Sequence, residues 1–136
     1  MSESTRELVR RRSENACEYC KLPQRASVLA HQIDHIIARQ HLGSDEDDNL
    51  CLCCLRCNLK KGPNIATTDP AQHPDYQIVT LFHPRHQLWQ DHFELREDGR
   101  IEGLTAEGRA TVRLLDFNAE ERLQLRRQLM SEGWRP

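Results

Sequence analysis

The stretch that decides the fold runs from His31 to Gly62 and reads HQIDHIIARQHLGSDEDDNLCLCCLRCNLKKG. An acid–histidine pair closes an apolar run, and a loop with one glycine and four consecutive acids follows. A second apolar run then ends in a pair of cysteines with two residues between them, and an asparagine comes directly after the pair. The order predicts two paired strands and a short helix, with these polar residues at the element ends: Asp34, His35, Asn49, Cys54, Cys57 and Asn58.

Length and composition suit one small domain. The chain has 136 residues, of which 38% are hydrophobic and 5% aromatic. A core this modest often needs a metal ion to stabilise it. We therefore expect a single domain over residues 1–136, with the core motif in 17–62 and an extension in 76–136.

The composition also bears on the environment and partners of the chain. No apolar run approaches the roughly 20 residues that cross a bilayer, and the arginine-rich start lacks the apolar stretch of a signal peptide. We expect a cytoplasmic protein without a membrane partner.

The net charge of -2 gives no overall attraction for nucleic acid. Local basic groups could supply it, although each could equally be an ordinary solvated surface: Arg6, Arg10, Arg11 and Arg12; Arg56, Lys60 and Lys61; Arg122, Arg126 and Arg127.

Local patterns predict the remaining elements. In the first half they predict a helix over 5–15, strands over 28–36 and 50–55, and a helix over 57–62 that ends at Gly62. An exposed loop is predicted over 37–48 and another over 64–75. In the second half, Asp98-Gly99 indicates a hairpin within 93–104. Thr105 is a predicted N-cap, and Asn118 is the predicted cap of a final helix over 119–132.

Six cysteines in a chain without an export signal favour metal ligation over disulfides. Two residues between cysteines allow a tight turn to direct both sulfurs at one tetrahedral ion. Cys17 with Cys20, and Cys54 with Cys57, therefore predict a closed structural Zn²⁺ site. Cys51 and Cys53 are expected to be buried thiols, and Cys51 paired with Cys54 is the alternative choice of ligands.

The polar residues around the cysteines fit a second kind of chemistry. Cleaving a phosphodiester needs a base for water and a cation for the phosphate charge. His35 offers an imidazole that is largely unprotonated at neutral pH, whereas Asp34 and Asn58 offer oxygen ligands for Mg²⁺ or Mn²⁺. Asn49 could orient the loop or the imidazole. His31 and His41 are reserve ligand candidates. Taken singly, each residue has a more ordinary interpretation as a surface residue or a helix cap.

The ordered set Asp34-His35-Ile-Ile, Gly43, Asn49-Leu50 and Cys54-x-x-Cys57-Asn58 resembles the HNH endonucleases in their zinc-bearing subclass. That resemblance implies an α+β protein with a ββα-metal core, held by a four-cysteine zinc site and surrounded by an N-terminal helix, a C-terminal hairpin and further helices. It also implies His35 as general base, Asn49 as the residue that positions the active-site loop, and Asp34 with Asn58 as ligands of one catalytic divalent ion.

The function expected from this resemblance is metal-dependent hydrolysis of DNA that leaves 5′-phosphate and 3′-hydroxyl ends. Many members of the family carry histidine where this chain has Asn58, and the exchange favours oxygen-preferring Mg²⁺ over softer ions. Two alternatives are open. One is a zinc-stabilised module that binds nucleic acid or protein without turnover, and the other is a nuclease that cleaves RNA.

Overall fold

The computed structural model describes residues 1–72 and 74–136. They form an α+β architecture in two compact units. The first unit comprises Met1–Ile65 with His83–His86, and the second comprises Ala66–Phe82 with Gln87–Pro136. Each sheet in the described ranges has two strands. None of the helices in those ranges is long and apolar enough to span a bilayer. The expectation of a single domain stays a prediction.

The first unit contains a hairpin with a helix on either side of it in the chain. Its elements are α1 (Glu3–Arg12), β1 (Gln32–His35), β2 (Leu50–Cys53) and α2 (Leu55–Lys61). The strands are antiparallel, with Gln32 opposite Cys53 and His35 opposite Leu50. Fully buried Val9 of α1 packs with Leu50 and Leu52 of β2 to form the apolar core. The predicted order of two strands and a helix is thus confirmed.

The boundaries in this unit differ from the prediction for local reasons. The helix α1 begins earlier than expected because the Ser2 hydroxyl accepts a hydrogen bond from the Thr5 N–H and caps it. The strand β1 has four residues, not the nine of 28–36, because β2 offers only four pairing positions. Fully exposed Val28 therefore lies outside the sheet. Cys54 is the N-cap of α2, whose end at Gly62 agrees with the prediction.

The second unit contains two hairpins and three helices among its described residues. In chain order the elements are β3 (Ala66–Thr68), β4 (Ile78–Thr80), α3 (Trp89–His92), β5 (Phe93–Leu95), β6 (Ile101–Gly103), α4 (Ala106–Leu114) and α5 (Glu120–Ser131). The predicted hairpin around Asp98-Gly99 is confirmed as β5 and β6, with Gly99 at φ 89° in the turn. Thr105 caps α4 as predicted, since its hydroxyl accepts from the Gly108 N–H.

Two predictions for this unit are wrong. The stretch 64–75 is not only a loop, because it contains β3, which pairs antiparallel with β4. Strands of three residues are too short for an alternating pattern to reveal them. His73 of that stretch lies outside the described residues. The N-cap of α5 is Ala119 rather than Asn118. The Asn118 amide instead bonds both backbone groups of Ile101.

Candidate functional site

The four cysteines predicted as zinc ligands lie together. The sulfurs of Cys17, Cys20, Cys54 and Cys57 are all within 4.8 Å of one another, and all four residues are buried. Cys20 Sγ and Cys54 Sγ are 3.7 Å apart. Four sulfurs at the usual Zn–S distance of about 2.3 Å are separated by about 3.8 Å in a regular tetrahedron. The cluster is therefore compatible with a structural zinc ion.

A tight turn builds the first half of this cluster. The Cys17 N–H donates to the Leu22 carbonyl at 2.9 Å, and the Lys21 N–H donates to the Cys17 carbonyl at 2.9 Å. Lys21 has φ 68°, which reverses the chain just after Cys20. The second half is the start of α2, where the Cys57 N–H approaches Cys54 Sγ at 3.5 Å. Both halves thus direct thiols inward from backbone turns.

The turn is attached to β2 by Glu18, a residue that the sequence analysis did not single out. Its backbone N–H donates to the Leu52 carbonyl at 2.9 Å, and its carboxylate accepts from the Leu52 N–H at 2.8 Å. The other carboxylate oxygen forms an ion pair with Arg85, and both side chains are largely buried. Burial and the neighbouring Arg12 lower the pKa of Arg85 to about 10. Only the fold reveals this pairing, because its partners are far apart in sequence.

The remaining cysteines behave as the buried thiols that were expected. Burial raises the pKa of Cys51 to about 12, so this residue stays a neutral thiol at physiological pH. A hydrogen bond with Cys17, together with burial, raises the pKa of Cys53. Burial also acts to raise the pKa of Cys17, but hydrogen bonds from the surrounding thiols outweigh it and lower that pKa well below its usual value. Cys51, the alternative ligand, is not part of the four-sulfur cluster.

His35 is the last residue of β1, and its side chain is 19% exposed. Its Nε2 lies 2.7 Å from Asp45 Oδ1, which also accepts from Arg39 Nη2 at 3.0 Å. The hydrogen bonds with His35 and then Arg39 hold the pKa of Asp45 below its usual value. An ionised carboxylate only accepts, so Nε2 carries the proton and donates it. The lone pair of the neutral imidazole is then on Nδ1.

Asp45 belongs to the 37–48 loop, which was expected to be exposed. It is 68% exposed, yet it holds the imidazole. The pairing of β1 with β2 brings the two ends of the loop together. Asp45, ten residues after His35, therefore comes within hydrogen-bond distance of the imidazole. No local sequence pattern indicates this contact, because His35 and Asp45 are ten positions apart and meet only when the hairpin forms.

Asn49 fixes the backbone directly after His35. Its Oδ1 accepts from the Ile37 N–H at 2.9 Å, and its Nδ2 donates to the Ile37 carbonyl at 2.9 Å and to the Ser44 carbonyl at 2.8 Å. Its own carbonyl accepts from the Ile36 N–H at 2.8 Å. Asn49 is 7% exposed, so these bonds are shielded from water. The amide therefore holds both ends of the loop.

The loop also requires a glycine at position 43. A Cβ on Gly43 would lie 1.7 Å from the Ile37 carbonyl oxygen and 2.9 Å from Asn49 Nδ2. Neither the backbone oxygen nor the clamped amide can move aside without breaking the hydrogen bonds of Asn49. Any larger residue would therefore displace the loop from the end of β1.

Asn58 of α2 faces the same side of β1 as Asp34. Its Nδ2 donates to Gln32 Oε1 at 2.7 Å, and residues two apart on a strand share a face. Among the described residues, neither the Asp34 carboxylate nor Asn58 Oδ1 has a hydrogen-bond or ion-pair partner. The oxygens of Asp34 and Asn58 are thus available as metal ligands on one face of β1.

His35 follows Asp34 directly and would face the other side of a regular strand. However, β1 ends at His35, and Ile36 and Ile37 form a bend. His35 is therefore the last paired residue of the strand, opposite Leu50, and the chain bends directly after it.

Most of the other candidate residues have structural roles. His31 is buried, and its Nε2 lies 2.9 Å from the Leu22 carbonyl, so that nitrogen is already occupied. His41 is exposed on a short 3₁₀ turn. Lys61 is buried and donates to the Ile36 carbonyl at 3.0 Å. Arg122 and Arg126 are buried and donate to backbone carbonyls. These three basic residues are unsuited to bind nucleic acid at the surface.

Comparison with protein families identifies the segment that carries these features. Residues 17–64 match the family model described as HNH endonuclease. The match spans the four-cysteine cluster, the hairpin, the loop and α2, and it confirms the resemblance seen in the sequence. No curated protein and no solved structure matches the chain with significant similarity. The match supports a nuclease in general, with nucleic acid as the class of substrate.

Proposed function

Because residues 17–64 carry an HNH endonuclease domain, we propose that this protein is a metal-dependent endonuclease that hydrolyses phosphodiester bonds of DNA. His35 is the general base, and Asp34 and Asn58 bind one divalent cation. The observation that carries the proposal is the arrangement at the end of β1. Two oxygen atoms that have no hydrogen-bond or ion-pair partner within residues 1–72 and 74–136 share a face, and the adjacent imidazole is oriented by Asp45.

The donor set favours a hard cation. A carboxylate from Asp34 and a carboxamide oxygen from Asn58 are ligands typical of Mg²⁺ or Mn²⁺, which retain several waters when they bind few protein oxygens. The four sulfurs, by contrast, suit Zn²⁺ and leave no open position. When bound, the divalent ion supplies positive charge at the scissile phosphate.

The imidazole of His35 removes a proton from the attacking water. Its Nε2 donates to Asp45, which leaves the Nδ1 lone pair to accept that proton. The carboxylate of Asp45 then stabilises the imidazolium that forms, as a carboxylate does beside any catalytic imidazole. Asn49 holds the backbone after His35 and so fixes where the base lies.

The reaction is an in-line displacement at phosphorus. The water oxygen forms a bond to phosphorus while the bond to the 3′ oxygen breaks. The water proton moves to His35, and the leaving 3′ oxygen takes a proton from solvent. The products are a 5′-phosphate, which carries the oxygen of the attacking water, and a 3′-hydroxyl.

Nicking of supercoiled plasmid tests the proposal. The zinc-loaded protein is incubated with Mg²⁺ or Mn²⁺, beside His35→Ala and the matched control His41→Ala. We expect the wild type and H41A to nick equally and H35A to be at least about 100-fold slower, the usual effect of removing a general base. Equal nicking by H35A would refute the role of His35.

Two further outcomes distinguish the alternatives. If freshly zinc-loaded wild type binds DNA but does not nick it, the protein is a binding module without turnover. Faster cleavage of an RNA of the same sequence would show that the protein is a nuclease for RNA. Both measurements use the same protein preparation and the same H35A control.

A further inference from the structure

The first unit has an open groove of about 490 Å³ beside β1. Arg6 and Arg10 of α1 line one side of it, and the chain entering β1, including Ala30 and Gln32, lines another. Leu55, the first residue of α2, also borders the groove. Residues from three elements therefore shape it, although they are separated in sequence.

No described residue bonds the guanidinium groups of the two arginines in this groove. Arg6 and Arg10 are exposed, and in the described part of the chain neither guanidinium has an ion pair or a hydrogen bond. Arg12 on the same helix differs, because its Nη2 donates to the carbonyls of Asp47 and Leu50 at 2.6 Å. Arg6 and Arg10 are four residues apart, which places their side chains on one face of α1 with Cβ atoms about 5–6 Å apart.

The groove and the proposed cation site have Gln32 in common. Gln32 lines the groove, and its Oε1 accepts the hydrogen bond from Asn58 Nδ2 at 2.7 Å. Asp34 lies two residues further along the same face of β1. A chain of phosphates that reaches Asp34 and Asn58 would therefore extend past Gln32 toward the two arginines.

We propose that this groove, which we call the arginine groove, binds the sugar–phosphate backbone of the nucleic acid next to the cleaved bond. The inference rests on the proposed function and deepens it, because it states how the substrate strand is held. Arg6 and Arg10 each bind one phosphate, since a guanidinium matches phosphate oxygens in a bidentate manner. The net charge of the chain is -2, so affinity has to come from such a local pair of charges.

Binding measured without cleavage tests the groove. The zinc-loaded protein is titrated into a fluorescent DNA duplex without Mg²⁺ or Mn²⁺ at several salt concentrations, and anisotropy gives the Kd. The test variant is R6Q/R10Q. The control R11Q/R25Q removes the same charge from two exposed arginines outside the groove. Glutamine and arginine have similar helix propensity, so the fold is retained, and zinc content and circular dichroism check it.

We expect R6Q/R10Q to raise the Kd about tenfold or more and to reduce the slope of log K against log salt by about 1.8, which corresponds to two lost phosphate contacts. The control should change the Kd less than about twofold. R6K/R10K should restore the slope, because lysine keeps the charge, but not the full affinity. In nicking assays the loss should appear in KM and leave kcat unchanged.

The outcomes separate this inference from the proposed function. Equal losses in R6Q/R10Q and R11Q/R25Q would refute the groove, because affinity would then follow net charge alone. Failure of the wild type to bind DNA would also refute it. Selective loss in R6Q/R10Q together with absence of nicking by the wild type would support the groove and refute the nuclease.

Discussion

Replacement of Asn49 by alanine should loosen the loop that follows His35. The amide of Asn49 makes three hydrogen bonds with loop backbone groups, at 2.8–2.9 Å. A net contribution of about 1 kcal/mol for each bond predicts a loss of about 3 kcal/mol in the free energy of opening this loop. The Ile37 N–H loses its acceptor, so its hydrogen exchange should become roughly 100-fold faster.

The second unit provides a matched control. Asn118 bonds the N–H and the carbonyl of Ile101 at 2.9 and 3.0 Å and also accepts from Arg126 at 2.9 Å. Asn118→Ala therefore removes the same number of amide hydrogen bonds outside the HNH segment. Exchange of the Ile101 N–H should accelerate in this variant, whereas that of Ile37 should not.

Plasmid nicking then connects the loop to function. At a temperature where both variants are folded, Asn49→Ala should nick at least about tenfold more slowly, because a general base needs a fixed position. Asn118→Ala should stay within about twofold of the wild type. The reasoning is refuted if exchange at Ile37 rises less than about threefold in Asn49→Ala, or if both variants lose nicking equally.

Three further predictions concern the base, the cation and the zinc. Asp45→Asn should slow nicking at neutral pH by about tenfold, because a neutral amide stabilises an imidazolium less well; Asp47→Asn, an exposed acid of the same loop, should have no effect in the same assay. Asn58→His should shift the metal preference toward Ni²⁺ or Zn²⁺, and nicking across a metal series that stays unchanged would contradict Asn58 as a ligand. Cys20→Ser should lose the one expected Zn²⁺ per chain together with folding of the first unit, as measured by metal analysis, whereas Cys51→Ser should retain its zinc.

The lowered pKa of Asp45 adds a pH dependence with a definite sign. A carboxylate whose pKa is lower in the folded state than in the unfolded state stabilises the folded state fully at pH values above its unfolded pKa. That advantage is lost as the pH falls through the lowered value. The nicking rates of the wild type and Asp45→Asn should therefore differ at neutral pH, and the Asp45–His35 contact should be absent from NMR spectra of strongly acidified protein. Persistence of the contact in acid would contradict the ionised state assigned here.

The sequence was informative wherever chemistry depends on local spacing. The cysteine pairs predicted the four-sulfur cluster because two intervening residues suit a turn with both thiols on one side. The end of α2 at Gly62 and the hairpin at Asp98-Gly99 followed from backbone conformations that glycine adopts easily. Such features depend on a few neighbouring residues, so a pattern is enough to predict them.

Tertiary structure decided which polar residues are partnered and which remain available. Asp45 holds the imidazole only because the hairpin joins the ends of its loop. Asn118 was expected to cap a helix, but it bonds Ile101 instead. Lys61 looked like part of a basic surface, yet it is buried against a carbonyl. A residue's role depends on the groups that folding brings within hydrogen-bond distance, and those groups are distant in sequence.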